Sequence, residues 1–149
     1  MKILIQRVKE SSVQVDGKLV SEIGKGMLIL VGITVDDTES DIDLLARKAA
    51  AMRIFPDKEG IMNLSVKDIG GEVLIVSQFT LCANIKKGNR PSYIEAAKAE
   101  KSEPFYLRFC QAMEREIGKP VKRGIFGADM KVELINDGPV TIWADSKAL

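Results

Sequence analysis

Residues Lys2 to Val8 alternate along the chain, with Ile3, Ile5 and Arg7 on one face and Leu4, Gln6 and Val8 on the other, which predicts a β-strand. Ser12 to Val15 continues it into Asp16-Gly17, a hairpin dipeptide, and Lys18 to Ile23 returns. After the break at Gly24-Lys25-Gly26, the apolar run Met27 to Ile33 predicts a central strand covered on both faces. Ile42, Leu45, Ala49 and Met52 fall at helical spacing. They predict a helix from about Asp41 to Met52, capped by Ser40 or Thr38, with acids early and Arg47 and Lys48 late. Pro56 to Gly60 and Ile69-Gly70-Gly71 read as turns. Glu72 to Leu81 predicts a second buried strand, through Val73 to Val76, whose end is Ser77-Gln78-Phe79-Thr80. A polar loop follows from Asn84 to Pro91. One helix is expected from Pro91-Ser92 to about Lys98, and another from Glu103-Pro104 to Ile117, stopped by Gly118 and Pro120. Val121 to Phe126, Met130 to Ile135 and Val140 to Trp143 read as final strands. No repeat or linker interrupts this pattern, so residues 1–149 form a single domain in which strands outnumber helices.

Composition narrows the chemistry. The longest apolar run, Met27 to Val31, has five residues, against the ~20 needed to cross a bilayer. The chain starts directly in strand pattern, so neither a membrane span nor a secretory leader is expected. Cys82 and Cys110 are far apart among hydrophobic neighbours, which reads as two buried thiols in a reducing cytoplasm. The chain contains no histidine. Ser-His-Asp and Cys-His arrangements are thereby removed, and two separated cysteines do not make a thiolate zinc site, so neither metal nor cofactor is expected. A net charge of +1 supplies no global field for nucleic acid, so any RNA would be held by local patches.

Three segments could carry chemistry. Ser77-Gln78-Phe79-Thr80 places hydrogen-bonding side chains at the end of a buried strand, either because a ligand pocket opens there or because the strand is leaving the core. Asn136-Asp137-Gly138-Pro139 has the composition of a tight turn between strands, and its Gly-Pro bond can be cis. Gly124 to Met130, with Gly127 and Ala128 inside it, lets a backbone or a ligand approach closely, as a strand bulge also would. Lys86, Lys87 and Arg90 form one basic patch just beyond Thr80, and Lys119, Lys122 and Arg123 another. Either could bind phosphate or simply be solvated. Arg7, within the first strand, needs a partner.

With these segments in view, the chain resembles the D-aminoacyl-tRNA deacylase family over essentially its whole length. The resemblance rests on Ile5-Gln6-Arg7-Val8, Arg53-Ile54-Phe55, Met62-Asn63-Leu64, Ser77-Gln78-Phe79-Thr80-Leu81, Arg90-Pro91-Ser92-Tyr93, Phe126-Gly127-Ala128-Asp129-Met130 and Asn136-Asp137-Gly138-Pro139-Val140-Thr141. It implies a mixed α/β fold: a strand-rich, β-barrel-like domain with helices packed outside, in a cytoplasmic homodimer. It implies a cis Gly138-Pro139 bond reaching into the pocket of the other subunit. There its carbonyls would face the α-carbon of the aminoacyl group, admit a D-residue or glycine, and strike an L side chain.

The reaction implied is hydrolysis of the ester joining a D-amino acid to the tRNA 3′ end, extending to glycyl-tRNA mischarged on the alanine tRNA, with neither DNA nor membrane as partner. Ser77, Gln78, Phe79 and Thr80 are its catalytic segment. Arg7, Tyr93, Phe126, Gly127, Ala128, Met130, Gly138 and Pro139 would contact substrate, and Lys86, Lys87 and Arg90 the tRNA. Two mechanisms are open. Thr80 could act as nucleophile or base, although an unassisted hydroxyl is poorly activated. Alternatively, the terminal 2′-hydroxyl assists while main-chain N–H groups near Phe79 and Thr80 hold the oxyanion. The missing histidine favours the second, with Thr80 as a positioning residue. Tyr93 stands where the family usually has phenylalanine and would pack on the terminal adenine. Ile125 stands where the family often has arginine, a loss for which Arg123 could compensate. Competing readings are a non-catalytic tRNA 3′-end binding module and a proofreader of the same fold acting on L-residues or glycine.

Overall fold

The computed structural model describes residues 1–149. Strand β1, Lys2–Val15, turns at Asp16-Gly17 into β2, Lys18–Ile23. Both turn residues have positive φ, 52° and 73°, as a two-residue hairpin requires. Strand β3, Gly26–Gly32, runs antiparallel to β1 and parallel to β6, Glu72–Ser77. It is the central strand expected, with all but one of its residues buried. At Gly26 a Cβ would lie 1.8 Å from the carbonyl oxygen of Glu72, so only glycine lets β3 and β6 start their pairing. Between them lie helix α1, Glu39–Ala51, and a small hairpin of β4, Phe55–Pro56, and β5, Met62–Leu64.

The far end of the chain differs from expectation in three ways. Residues 91–98 form no helix. Instead Ser92 bridges to Asn84 and Ala96 to Thr34, and a single helix α2 spans Ala99–Ile117. Pro104 sits inside it; the only carbonyl it deprives of a donor is that of Glu100, an exposed residue in the first turn. The strand expected over Val121 to Phe126 is reduced to β7, Lys122–Arg123, parallel to β6. The last two expected strands are one, β8, Lys131–Asp145, which follows β1 from Gln14 to Lys2. The segment Asn136 to Pro139 therefore reverses nothing. Pairing jumps from Val8↔Asn136 to Gln6↔Thr141, so residues 137–140 stand out as a bulge opposite Arg7. The long β1 supplies partners on both sides of that bulge, and this non-local ladder outweighs the local turn composition.

The strands form a nearly closed, barrel-like sheet in the order β2-β1-β3-β6-β7, with β8 on the other edge of β1. Ser21 Oγ of β2 donates to the Arg123 carbonyl of β7 at 2.7 Å, drawing the far ends of the sheet together. One face is covered by α1 and α2, whose Ile42, Leu45, Tyr106, Phe109 and Met113 bury against Ile3, Ile5, Ile29 and Ile75. The other face curls over Val8, Val13, Leu28, Leu74 and Val76. Thr38 caps α1, donating its N–H to the Asp41 carboxylate at 2.7 Å. Gly118, at φ 74°, ends α2.

Candidate active site

The buried strand β6 stops at Ser77, not at Leu81. The Gln78 N–H makes the last bond to β3, on the Val31 carbonyl at 2.7 Å, and Phe79–Cys82 then turns as a short 3₁₀ helix. The first donors of a helical turn have no partner inside it. The N–H groups of Phe79 and Thr80 find none elsewhere in the backbone, and both residues are exposed. Gln78 Nε2 donates to Thr80 Oγ1. No carboxylate or amine touches that hydroxyl, so nothing is positioned to activate it.

A cleft of about 470 Å³ opens beside this strand end. Ser77, Gln78 and Phe79 line one wall; Phe126, Gly127, Ala128 and Met130 line the facing one. The structure thus brings together two segments that sequence reasoning singled out separately. Gly127 has φ 76°, the conformation that a glycine turn between Ile125 and Ala128 needs. A Cβ on Gly124 would lie 2.5 Å from Met130 Sδ, so its absence is what lets Met130 fold into the cleft wall. The floor comes from Val31, Ile33, Ala97, Ser102 and Val132, none of which stood out in the sequence. Small and apolar residues give the same signal whether they pack a core or line a cavity. A larger open groove, about 1160 Å³, carries Glu10, Glu22, Glu72 and Glu133. Those carboxylates repel a polyanion, which favours the smaller cleft as the site.

Tyr93 meets Phe79 edge to face, with ring centroids 5.0 Å apart, at the exposed side of this strand end. Asn84 and Ser92 exchange backbone hydrogen bonds of 2.8 and 2.9 Å, closing the loop between them. The exposed Lys86, Lys87 and Arg90 are carried by that loop, which is rooted one residue before Tyr93. In the second basic patch, Lys119 Nζ is engaged by the Gly70 carbonyl at 2.7 Å. Ile125 is exposed, and Arg123 lies on β7 with its carbonyl bound by Ser21.

Gly138 and Pro139 do not line this cleft. Their peptide bond is cis, and both residues are exposed on the β8 bulge. Arg7, 8 % exposed, holds the bulge from below. Its Nε donates to the Asp137 carbonyl at 2.8 Å, and its Nη1 to the Ile54 carbonyl at 2.6 Å. The Asp137 carboxylate adds an ion pair at 3.7 Å. That answers what an arginine does in β1. Asn136 closes the bulge by accepting the Val140 N–H at 2.8 Å and donating to Thr141 Oγ1 at 2.9 Å.

Neither thiol competes as a nucleophile. Cys82 and Cys110 are free and buried, and burial raises both thiol pKa values, that of Cys110 to about 12. No group of three or more His, Cys, Asp or Glu side chains is placed to hold a metal ion, and no helix is long and apolar enough to cross a membrane.

Free main-chain donors at a strand end, a compact cleft and a basic loop beside it are the features of a site for an anionic or oxygen-rich ligand. Comparison with known proteins makes that class specific. Residues 4–145 match the family model described as D-Tyr-tRNA(Tyr) deacylase. The D-aminoacyl-tRNA deacylases of Bacteroides thetaiotaomicron and Flavobacterium psychrophilum are 58% and 60% identical, each over 99% of this chain and 98% of theirs. A solved structure named c-Myc DNA Unwinding Element Binding Protein superposes with a TM-score of 0.90 at 40% identity, covering 97% of this chain and 98% of that one. Another, of a probable eukaryotic D-amino acid tRNA deacylase, shares the fold at 18% identity and a TM-score of 0.81, covering 96% and 97%. The chain belongs to the D-Tyr-tRNA(Tyr) deacylase family. It is a hydrolase whose activity is D-aminoacyl-tRNA deacylation.

Proposed function

We propose that the chain, as a homodimer in the cytoplasm, hydrolyses the ester between a D-amino acid or glycine and the tRNA 3′-terminal ribose, by main-chain catalysis at the Ser77 to Thr80 strand end. Ser77, Gln78 and Phe79 of that segment line the cleft, and Thr80 lies just outside it. The observation that carries this reading is the pair of unpartnered N–H groups at Phe79 and Thr80. Water adds to the acyl carbon, and the carbonyl oxygen gathers negative charge facing those donors. The bond to the ribose 3′-oxygen then breaks, with the neighbouring 2′-hydroxyl relaying the proton to it. One oxyanion donor of this kind is worth ~10²–10³ in rate. Tyr93 and Phe79 offer aromatic faces to the terminal adenine, and Lys86, Lys87 and Arg90 meet the phosphates behind it.

The Gly138-Pro139 bulge lines no part of its own chain's cleft and is exposed, which supports the reading that it serves the cleft of a second copy. The surface of β8 supports such pairing. Ile135 and Trp143, on its solvent face, are 49% and 53% exposed, and its outer edge has no strand partner. Main chain presented by the bulge confronts the α-carbon of the bound aminoacyl group, where hydrogen is tolerated and an L side chain is not. The test compares deacylation of D-tyrosyl-, glycyl- and L-tyrosyl-tRNA. Hydrolysis of the first two with the L-ester spared is expected. Rapid loss of the L-ester would remove the chirality argument, and tRNA binding without turnover would leave only an acceptor-end binding module.

A further inference from the structure

Tyr106 lies on the inner face of α2, 2% exposed, and belongs to neither wall of the cleft. Its hydroxyl donates to the Ile75 carbonyl at 2.8 Å. The same carbonyl accepts the Gly124 N–H at 3.1 Å. Ile75 stands two residues before Ser77, and Gly124 two residues before Phe126. The two walls therefore diverge from one shared carbonyl, and Tyr106 is the second donor bound there. Its ring also meets the Phe126 ring, with centroids 6.0 Å apart and planes tilted by 43°. One side chain thus touches the root of the first wall through its oxygen and the second wall through its ring.

Packing alone does not call for that oxygen. A phenylalanine would fill the same space, and Gly124 already satisfies the Ile75 carbonyl. A buried hydroxyl is costly unless it is paired, so its presence at this junction asks for a role. We infer that Tyr106 is a positioning residue that sets the spacing between the Ser77 to Thr80 strand end and the Phe126 to Met130 loop. This rests on the reading of the cleft as the reaction site. Burial raises the phenol well above its ordinary pKa, so it stays a donor at every pH at which the protein works.

The test is Tyr106→Phe in the full chain, read in two ways. In steady-state deacylation of D-tyrosyl-tRNA, kcat should fall about tenfold with KM nearly unchanged, since misplacing catalytic groups by a fraction of an ångström costs rate rather than binding. In amide ¹H–¹⁵N spectra, the resonances of Gln78, Phe79, Thr80 and Ala128 should move together while those of α1 stay in place. Unchanged kcat with unmoved amides at both walls overturns the inference, whatever happens to the melting temperature. If Tyr106→Phe does not fold, 3-fluorotyrosine at position 106 keeps ring and hydroxyl but alters donor strength. An altered kcat with moved wall amides then supports the inference, and neither change overturns it. The spectra do not depend on turnover, so a wild-type chain that fails to deacylate sinks the proposed function and leaves the role of Tyr106 separately decided.

Discussion

The cleft at the end of β6 and the bulge in β8 are built in opposite ways. At the cleft, backbone donors of Phe79 and Thr80 are left without partners, and the side chains around them are small, apolar or polar and uncharged apart from Asp129, which is paired with Lys131. At the bulge, a buried arginine and an asparagine bind the main chain, and the Asp137 carboxylate pairs with that arginine. The first region keeps hydrogen-bonding capacity free, which on the proposed function serves a reacting group. The second uses its capacity internally to hold a shape. A proofreading hydrolase needs both, because stabilising a developing charge and refusing a side chain are different physical tasks.

The largest expected effect separates them at once. Substrate ending in 2′-deoxyadenosine should be hydrolysed ~10²–10⁴ times more slowly, the range of a lost proton-transfer partner. Binding, measured by competition, should hardly change. A rate within threefold of normal would mean that the protein itself supplies the proton relay. On the bulge side, Arg7→Ala should destabilise the fold by about 2–3 kcal/mol, because the buried Ile54 carbonyl loses its donor. Its sharper signature is selectivity: the ratio of L- to D-tyrosyl-tRNA hydrolysis should rise at least tenfold as the bulge loosens. Chemical denaturation and paired deacylation assays check the two parts separately.

Gly138→Ala addresses the same region with a smaller perturbation. Gly138 has φ 137°, which L-residues rarely adopt, and an added Cβ would lie 2.9 Å from both Arg7 Nη2 and Val140 Cγ2. The cost should be about 1–3 kcal/mol of stability. D-substrate turnover should fall several-fold, as main chain and Arg7 shift together. Unaffected kinetics would reduce the bulge to a structural kink.

How much of this was legible in the sequence follows the same division. The alternation of Ile3, Ile5 and Arg7, the apolar run of β3 and the Asp16-Gly17 hairpin are local signals, and the structure follows them. The continuity of β8 is not local. Residues 136–139 read as a reversal until β1, some 130 positions earlier, supplies pairing on both sides of them. Likewise the composition of residues 91–98 permits a helix, but their bridges to Asn84 and Thr34 are non-local and prevail. At the cleft, the motifs exposed Ser77 to Thr80 and Phe126 to Met130, whereas Ala97, Ser102 and Tyr106 carried no distinguishing signal. What makes Tyr106 notable is its hydrogen-bond partner, which only the fold reveals.

The smaller effects test whether the cleft works through side chains at all. Replacing both Lys86 and Lys87 with alanine should raise KM for aminoacyl-tRNA several-fold and lower the salt dependence of binding by about 2 in logarithmic slope, one for each lost phosphate contact. Their exposed loop should leave kcat and the melting temperature unmoved. The smallest change of all is expected from Thr80→Ala. Thr80 Oγ1 accepts a bond from Gln78 and has no base beside it, whereas its N–H has no backbone partner and survives the substitution. Deacylation of D-tyrosyl-tRNA should therefore stay within about threefold of wild type, since the donor that matters belongs to the main chain. An inert Thr80→Ala variant with normal substrate binding would reverse the assignment. It would make the hydroxyl the nucleophile or base, despite surroundings that offer nothing to activate it.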